Sequence, residues 1–298
     1  LGAASRDYHA DVRCSDAIFR QLSETYRKIR NTARILLANL GDFNPDTDAV
    51  PAERLHEIDK WILSRLNDLI RVCRAGYDGY EFHTVTHAVS NFCTNELSKL
   101  YVDITKDRLY TEGKTSEERR CAQTAMYTVV SALTRLIAPI LAFTAEEIWK
   151  NMPHRAGEKT ESVFLNPMPE ADGAYACPEL TAHWDRLFAL RDGVMKALEL
   201  MIGKSLDAKV TVFTPDEAQA ALLESFADTL NLIFITSQAS VVRGEAPEGA
   251  YTDPDTGVSV LVEPADGRKC DRCWTFVTDG TEVGDGYLCP RCRRVVGC

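Results

Sequence analysis

The first half of the chain repeats apolar residues every three or four positions, the period of an amphipathic α-helix. In Ser15–Leu40 these residues cluster on one side at roughly 100° per residue, and Gly41 occupies the expected C-cap position. The same period predicts four more helices: after Pro51 as far as Gly76, from about Thr84 to Arg108, from a Thr115–Glu118 capping box to Pro139, and a short helix from a Thr144–Glu147 box to about Pro153. Long amphipathic helices with short polar loops predict an antiparallel bundle.

The pattern changes after a Gly-, Pro- and acid-rich stretch, Arg155–Pro178, which is typical of a linker. Beyond this stretch we expect a helix, a strand, a second helix and two more strand-like runs. Their predicted positions are Glu179–Ile202, Lys209–Phe213, a helix capped at Thr214 with Pro215 at its first position, Leu232–Val242, and Gly257–Val262. The sequence therefore predicts a small α+β unit after the bundle.

Four cysteines near the end of the chain form two CxxC pairs, Cys270/Cys273 and Cys289/Cys292, with fifteen residues between the pairs. This spacing is typical of a zinc ribbon. In such a module two tight turns direct four sulfurs at one point, and Zn²⁺ binds them as a closed tetrahedron. Because four thiolates leave no position for water, the sequence predicts one structural zinc per chain.

Two other uses of the CxxC pairs fit less well. Two disulfides suit a secreted protein, and nothing in this sequence signals secretion. A redox CxxC normally occurs once, at a helix N-terminus, whereas this chain has two. The remaining cysteines are scattered, and we interpret them as small apolar residues: Cys14, Cys73, Cys93, Cys121, Cys177 and Cys298.

Composition is that of an ordinary globular protein, with 298 residues and 45% hydrophobic positions. No run approaches the roughly 18 apolar residues that a membrane span needs, so we expect no membrane association. The chain opens with neither Met nor a signal-peptide pattern, and we interpret it as a piece of a longer protein. The net charge of −10 argues against a general binder of DNA or other nucleic acids, which would carry a basic excess.

Two segments oppose that acidic average. Arg13–Arg34 holds six basic and two acidic residues. The chain from Arg268 onward holds six basic and four acidic residues. In the first segment Arg27, Arg30, Asn31 and Arg34 fall opposite the apolar side of the helix. Such a face is either solvated surface or a phosphate-binding surface, and both interpretations stay open.

The cysteine module has basic residues and an aromatic of its own. Arg272, Trp274, Arg291 and Arg293 stand beside the cysteines. Trp274 either packs on the bundle or stacks on an RNA base, and the sequence leaves both open.

Several stretches resemble one family, the bacterial-type isoleucyl-tRNA synthetases of class I. Asp11–Asp16 and Tyr26–Leu40 resemble the start of the family's anticodon-binding bundle, and Tyr101–Tyr110 and Ala138–Trp149 resemble later helices of that bundle. Lys269–Trp274 resembles the family's C-terminal zinc module. The similarity follows the chain in order from end to end. Relatives specific for valine and leucine share the bundle but normally lack the terminal ribbon, so the tail favours isoleucine.

This resemblance implies a mainly α protein in which an anticodon-binding bundle, an α+β unit and a four-cysteine zinc ribbon recognise tRNA-Ile. Its implied boundaries are 1–14 for the end of the junction with the catalytic core, 15–154 for the bundle, 155–180 for the linker, 181–265 for the α+β junction domain and 266–298 for the ribbon. The implied tRNA contacts are Arg27, Arg30, Asn31, Arg34, Arg272, Trp274, Arg291 and Arg293.

The HIGH-like and KMSKS-like ATP-binding signatures of class I synthetases are absent from these residues. We therefore expect ATP and Mg²⁺ to bind only in a catalytic domain outside the chain. The full-length protein would be an isoleucine–tRNA ligase, monomeric and cytoplasmic, and the 298 residues alone would be inactive. Two alternatives stay open: the same region of a ligase for valine, leucine or methionine, and a helical interaction module with a structural ribbon.

Overall fold

The computed structural model describes residues 1–9, 11 and 15–297. Arg13, Cys14 and Cys298 lie outside this range, as does part of the predicted 1–14 segment. The described chain forms two compact units. The first holds the chain up to Thr105 together with Lys114–Thr181, and the second holds Lys106–Gly113 and the chain from Ala182 onward. The predicted domain boundaries stay a prediction.

Helices make up the first unit, as the apolar period predicts. Their bounds are α1 Asp16–Ala38, α2 Glu57–Asp78, α3 Phe82–Asn91, α4 Asp103–Thr111, which reaches into the second unit, α5 Glu117–Ile137 and α6 Ala142–Asn151. Between Cys121 and Ile137, α5 is buried at every residue except Thr128 and Arg135. This helix is therefore enclosed on all sides, and α1, α2 and α6 pack against it.

The second unit contains the predicted α+β region and the cysteine module. Its remaining helices are α7 Pro178–Met201, whose first turn belongs to the first unit, α8 Glu217–Ser225, α9 Leu230–Phe234 and α10 Pro290–Val296. Its strands are β1 Ala208–Thr214, β2 Gln238–Arg243, β3 Tyr251–Thr252, β4 Ser259–Pro264, β5 Arg268–Lys269, β6 Phe276–Val277, β7 Thr281–Val283 and β8 Gly286–Leu288.

Strands β1 to β4 form one sheet in the order β2-β1-β4-β3. The β1–β2 pair is parallel, and the crossover through α8 and α9 makes that pairing possible. β1 alternates buried and half-buried residues, so one face of the sheet is covered. Two short antiparallel ribbons, β5–β6 and β7–β8, carry the cysteines. The mainly α class with an α+β unit and a cysteine module is confirmed.

Several predicted helix boundaries were wrong. α2 does not end at Gly76 but continues to Asp78, with Gly79 as its cap. Gly76 lies inside the helix, where a Cβ would lie 2.8 Å from Val85 Cγ2, so the glycine permits close packing of α2 on α3. α1 likewise ends at Ala38, capped by Asn39 rather than by Gly41.

Three predicted N-caps were also wrong. Ser116, not Thr115, caps α5 by accepting from the Arg119 amide. α6 begins two residues before Thr144, whose hydroxyl instead lies 3.1 Å from the Tyr26 hydroxyl. Asp216, not Thr214, caps α8, since Thr214 is still in β1.

Two longer stretches differ from the sequence prediction. The predicted helix from about Thr84 to Arg108 has a π-helical interior, Phe92–Val102, between α3 and α4. The strand-like run Leu232–Val242 is half helix, because α9 extends to Phe234 and β2 begins only at Gln238. Ile235, with φ 56°, is the left-handed residue that ends α9.

Candidate metal centre and nucleic-acid interface

The four cysteines of the two CxxC pairs converge on one point. Cys270 and Cys273 follow β5, while Cys289 caps α10 and Cys292 lies in its first turn. Their sulfur atoms all lie within 4.8 Å of one another, and each residue is 9% exposed or less. A tetrahedral ion with bonds of about 2.3 Å separates its sulfur ligands by about 3.8 Å, and Cys273 and Cys289 Sγ are 3.7 Å apart. This cluster could hold a metal ion.

Backbone amides donate hydrogen bonds to sulfur atoms of the cluster, and such bonds favour the thiolate form. The Cys289 amide donates to Cys270 Sγ at 3.3 Å, and the Cys292 amide donates to Cys289 Sγ at 3.4 Å. Burial alone would raise the pKa of Cys270, but amides of Cys273, Cys289 and Arg272 lower it to about 6. Burial raises the pKa of Cys292 to about 12, so without a cation this thiol stays protonated at neutral pH.

Two predicted RNA-contact arginines instead bind groups around the cluster. Arg272 Nη1 lies 3.4 Å from Cys292 Sγ and also donates to the Thr111 carbonyl. Arg291 donates to both carboxylate oxygens of Asp107, with Glu112 3.9 Å away. Burial opposes the charge of Arg291, yet the Asp107 carboxylate raises its pKa well above the ordinary value. These contacts favour a structural role, and RNA contact by either residue stays a prediction.

Trp274 and Arg293 are placed differently. The Trp274 side chain is 61% exposed, and its amide donates to the Cys270 carbonyl at 2.9 Å. A cavity of about 590 Å³ adjoins the ring and is lined by Gly203–Asp207 and Lys269. The Lys269 ammonium lies 5.8 Å from the ring centroid. Arg293 is exposed and bonds only the Thr281 hydroxyl, at 3.3 Å, among the described residues.

The basic face of α1 is exposed along its length. Arg27, Arg30, Asn31 and Arg34 all lie in water, while Ile29, Ala33 and Leu36 are buried on the other side. Arg27 pairs with Glu24 at 2.9 Å. Within the described chain, Arg30, Asn31 and Arg34 form no side-chain hydrogen bond and no ion pair. The structure thus brings all four predicted residues onto one free surface of the first unit.

Sequence reasoning missed Phe143 as a candidate contact and left Lys269 out of the predicted contacts. Phe143 is 94% exposed and lines a groove between α1 and α6 together with Arg30 and Arg34. In the sequence Phe143 stands in an apolar stretch, so its exposure has no signature there. Lys269 is marked only by its position before Cys270.

Three of the described cysteines outside the cluster are buried, as small apolar residues would be, whereas Cys177 is half-buried. Cys73, Cys93 and Cys121 are buried and form no disulfide. Burial raises the pKa of Cys73 and Cys93 to about 12, which makes these thiols unreactive. Among the described residues, no helix is long and apolar enough to span a bilayer.

Comparison with known proteins gives one family model and many close relatives. The model for the anticodon-binding domain of tRNA ligase matches residues 59–211, more than half of the chain. Isoleucine--tRNA ligase of Geobacillus thermodenitrificans is 45% identical over 99% of the chain and 33% of its own length. Those of Syntrophotalea carbinolica and Listeria monocytogenes are each 44% identical over 99% of the chain and 32% of their own length. The chain spans about a third of these relatives.

Proposed function

The chain belongs to the anticodon-binding domain family of tRNA ligases, and from this membership we propose that it is the part of an isoleucine–tRNA ligase that recognises tRNA-Ile. The observation that carries the proposal is 44–45% identity along 99% of the chain to ligases of that name from different bacteria. The full-length protein would attach isoleucine to tRNA-Ile with ATP and Mg²⁺. The chain described here would supply RNA binding as part of a cytoplasmic monomer.

Recognition of a loop needs cations for phosphates and flat surfaces for unstacked bases. The free face of α1 offers Arg27, Arg30, Asn31 and Arg34 in the first unit. The second unit offers Trp274 and Arg293, both exposed. We also assign Arg272 and Arg291 to holding the cysteine module, because Arg272 Nη1 contacts a carbonyl and a sulfur and Arg291 binds a carboxylate. The predicted contact of these two arginines with RNA remains part of the proposal.

The metal we infer is one structural Zn²⁺ held by Cys270, Cys273, Cys289 and Cys292. The 3.7 Å between Cys273 and Cys289 Sγ suits tetrahedral ligands and far exceeds the roughly 2.05 Å of a disulfide. Four thiolates fill the coordination sphere, so the ion would fix the fold of the ribbon and would activate no water. Amide and guanidinium donors around the sulfurs offset part of the thiolate charge.

Charge reversal on α1 tests the assignment to tRNA. We expect the double substitution Arg27→Glu and Arg30→Glu to weaken binding of a tRNA-Ile transcript by about tenfold or more. The slope of the logarithm of the binding constant against the logarithm of the salt concentration should become shallower by about two. Arg71→Glu with Arg74→Glu on α2 is the matched control, with the same spacing and the same change in net charge. The control should lose less than about threefold. Equal losses in the two proteins would contradict recognition by α1.

The same binding assay separates the alternative functions. A ligase for valine, leucine or methionine would bind the corresponding tRNA more tightly than tRNA-Ile. A helical interaction module would bind none of the four. We expect tRNA-Ile to be preferred.

A further inference from the structure

We propose that the groove between α1 and α6 is a binding site for a single unstacked nucleotide of an RNA loop, whose base stacks on Phe143 and whose phosphate binds Arg30 and Arg34. This inference rests on the proposed function. It adds Phe143 as an RNA contact and the groove as the place where one nucleotide binds. Its groups come from two helices of the first unit that pack directly against each other.

The exposure of Phe143 is the first observation. It is 94% exposed, higher than any other large apolar side chain of the described residues. Its backbone is nevertheless well fixed, since it lies in the first turn of α6, and Ala145, Ile148 and Trp149 anchor that helix in the core. A fixed aromatic ring in water offers a flat face on which any base can stack.

The shape of the groove is the second observation. Its volume is about 650 Å³, within the range of roughly 300–1,000 Å³ typical of sites for small molecules. Ala33, Leu37 and Ile148 line it along with Phe143, so a base would rest on apolar surface. Tyr26 also lines the groove, and its hydroxyl contacts the Thr144 hydroxyl, which links α1 to α6 at that point.

The charges in the groove identify the occupant. Arg30 and Arg34 are four residues apart and share one face of α1. Neither side chain forms a hydrogen bond or an ion pair within the described chain. Two unpaired guanidiniums repel each other unless an anion lies between them, and a phosphate accepts from both. Glu147 is the single acidic lining residue, so the groove is locally positive in a chain of net charge −10.

An apolar side chain of a protein partner is the competing occupant. Such a side chain would fill the apolar part and leave both arginines without a counter-charge. A nucleotide satisfies both parts together, because its base is flat and apolar on its faces and its phosphate is anionic. Stacking is therefore the property to test.

Four variants of the 298-residue chain test the site: Phe143→Ala, Phe143→Leu, Phe143→Trp and the control Phe164→Ala. Phe164 is 56% exposed in the same unit and does not line the groove. The probes are a tRNA-Ile transcript and a single-stranded heptaribonucleotide with its anticodon-loop sequence. We expect Ala and Leu at 143 to lose about tenfold in affinity for both probes, and Trp to stay within about threefold. The control should change less than about twofold, and all thermal midpoints should stay near that of the parent.

Each outcome decides the proposal. Full binding by Phe143→Leu would show an apolar contact rather than a stack, and full binding by Phe143→Ala would remove the residue from the interface. Either result overturns the site while leaving tRNA binding by α1 intact, as the Arg27/Arg30 reversal reports separately. If the parent chain binds the heptaribonucleotide through Phe143 but does not prefer tRNA-Ile, the proposed function fails and the site stands. If it binds neither RNA, both are overturned.

Discussion

Arg291 and Arg293 are two residues apart on the same short helix and have opposite surroundings. The side chain of Arg291 is 26% exposed and donates to both carboxylate oxygens of Asp107, whereas Arg293 is open to water. Taking a bound phosphate to Arg291 would require breaking a partly buried ion pair, which costs roughly 3 kcal/mol. Arg293 would bind one without that loss. Of these two arginines, Arg293 is therefore the one more accessible to a ligand.

Substitution of Trp274 tests the ribbon surface at single-residue resolution. Since the ring is mostly exposed, Trp274→Ala should leave the thermal midpoint and the metal content nearly unchanged. Loss of one base stack should lower tRNA-Ile affinity by about tenfold or more, since such a stack is worth roughly 1–3 kcal/mol. Binding assays with the full transcript, and with a minihelix that lacks the anticodon arm, check this. The affinity for the minihelix should be the same for the parent chain and for Trp274→Ala.

A different result would assign Trp274 to the fold. The hydrogen bond from its amide to the Cys270 carbonyl and its left-handed backbone, with φ 66°, place it at the end of the turn that contains Cys270 and Cys273. A lowered midpoint with intact tRNA affinity would mean that the ring supports this turn. Trp274 would then be a structural residue.

At the scale of elements, the segment after α1 is tied to α5 through Asp42. Its carboxylate accepts from Arg119 Nη1 and Nη2 at 2.5 and 2.9 Å and from Gln123 Nε2 at 2.9 Å. The hydrogen bond from Arg119 is the main reason that the pKa of Asp42 falls from 3.8 to about 2. This clamp fixes the C-terminal end of the helix that carries the basic face.

The depressed pKa makes the contribution of Asp42 depend on pH. A carboxyl whose pKa is lower in the folded protein stabilises the fold above its unfolded pKa, and it loses that effect as pH falls through the folded pKa. Asp42→Asn should therefore reduce the free energy of unfolding by roughly 1 kcal/mol near pH 7, a value discounted for partial exposure. The difference should shrink between about pH 4 and pH 2. Urea unfolding of both proteins across this range measures it, and a constant difference would contradict the clamp.

We expect the cysteine module to depend on a bound metal ion for its fold, because it has almost no other core. Its buried cluster consists of the four cysteines, with only Val277 and Leu288 packed against them. We expect one zinc per chain by elemental analysis. Removal with a chelator should melt the ribbon, which is mostly strands and turns, while the helical circular dichroism signal barely falls. A metal content near zero, with thiols oxidised in pairs, would contradict this prediction.

The elements differ in how far their sequence determines them. The 3.6-residue period predicted α1 and its basic face, because that helix has one side in water and one in the core. Helix ends were harder to predict: Gly76 is typical of a helix C-terminus in the sequence, yet it lies inside α2, where its missing side chain leaves room for Val85. The cysteine spacing predicted the cluster directly, because two tight CxxC turns direct four sulfurs at one point. The exposed position of Phe143 could not be predicted, since it depends on the angle at which α6 meets α1.

At the scale of the whole molecule, basic residues are concentrated in local segments although acidic residues are in excess overall. The chain carries −10 overall, so its general field repels RNA, and binding must come from local surfaces. Six basic residues against two acidic ones lie between Arg13 and Arg34, of which Arg13 is outside the described residues. Affinity for tRNA should accordingly be modest and should fall as salt rises.

Binding and chemistry should separate cleanly in this chain, because the 298 residues contain neither ATP-binding signature of class I ligases. We expect the chain to bind tRNA-Ile without isoleucine-dependent ATP–pyrophosphate exchange. The full-length ligase is the positive control. Excess chain added to that ligase should inhibit aminoacylation by sequestering tRNA, and should leave the exchange reaction, which consumes no tRNA, unchanged. The Arg27/Arg30 reversal should abolish the inhibition. Exchange above background with the chain alone would show that these residues do activate the amino acid.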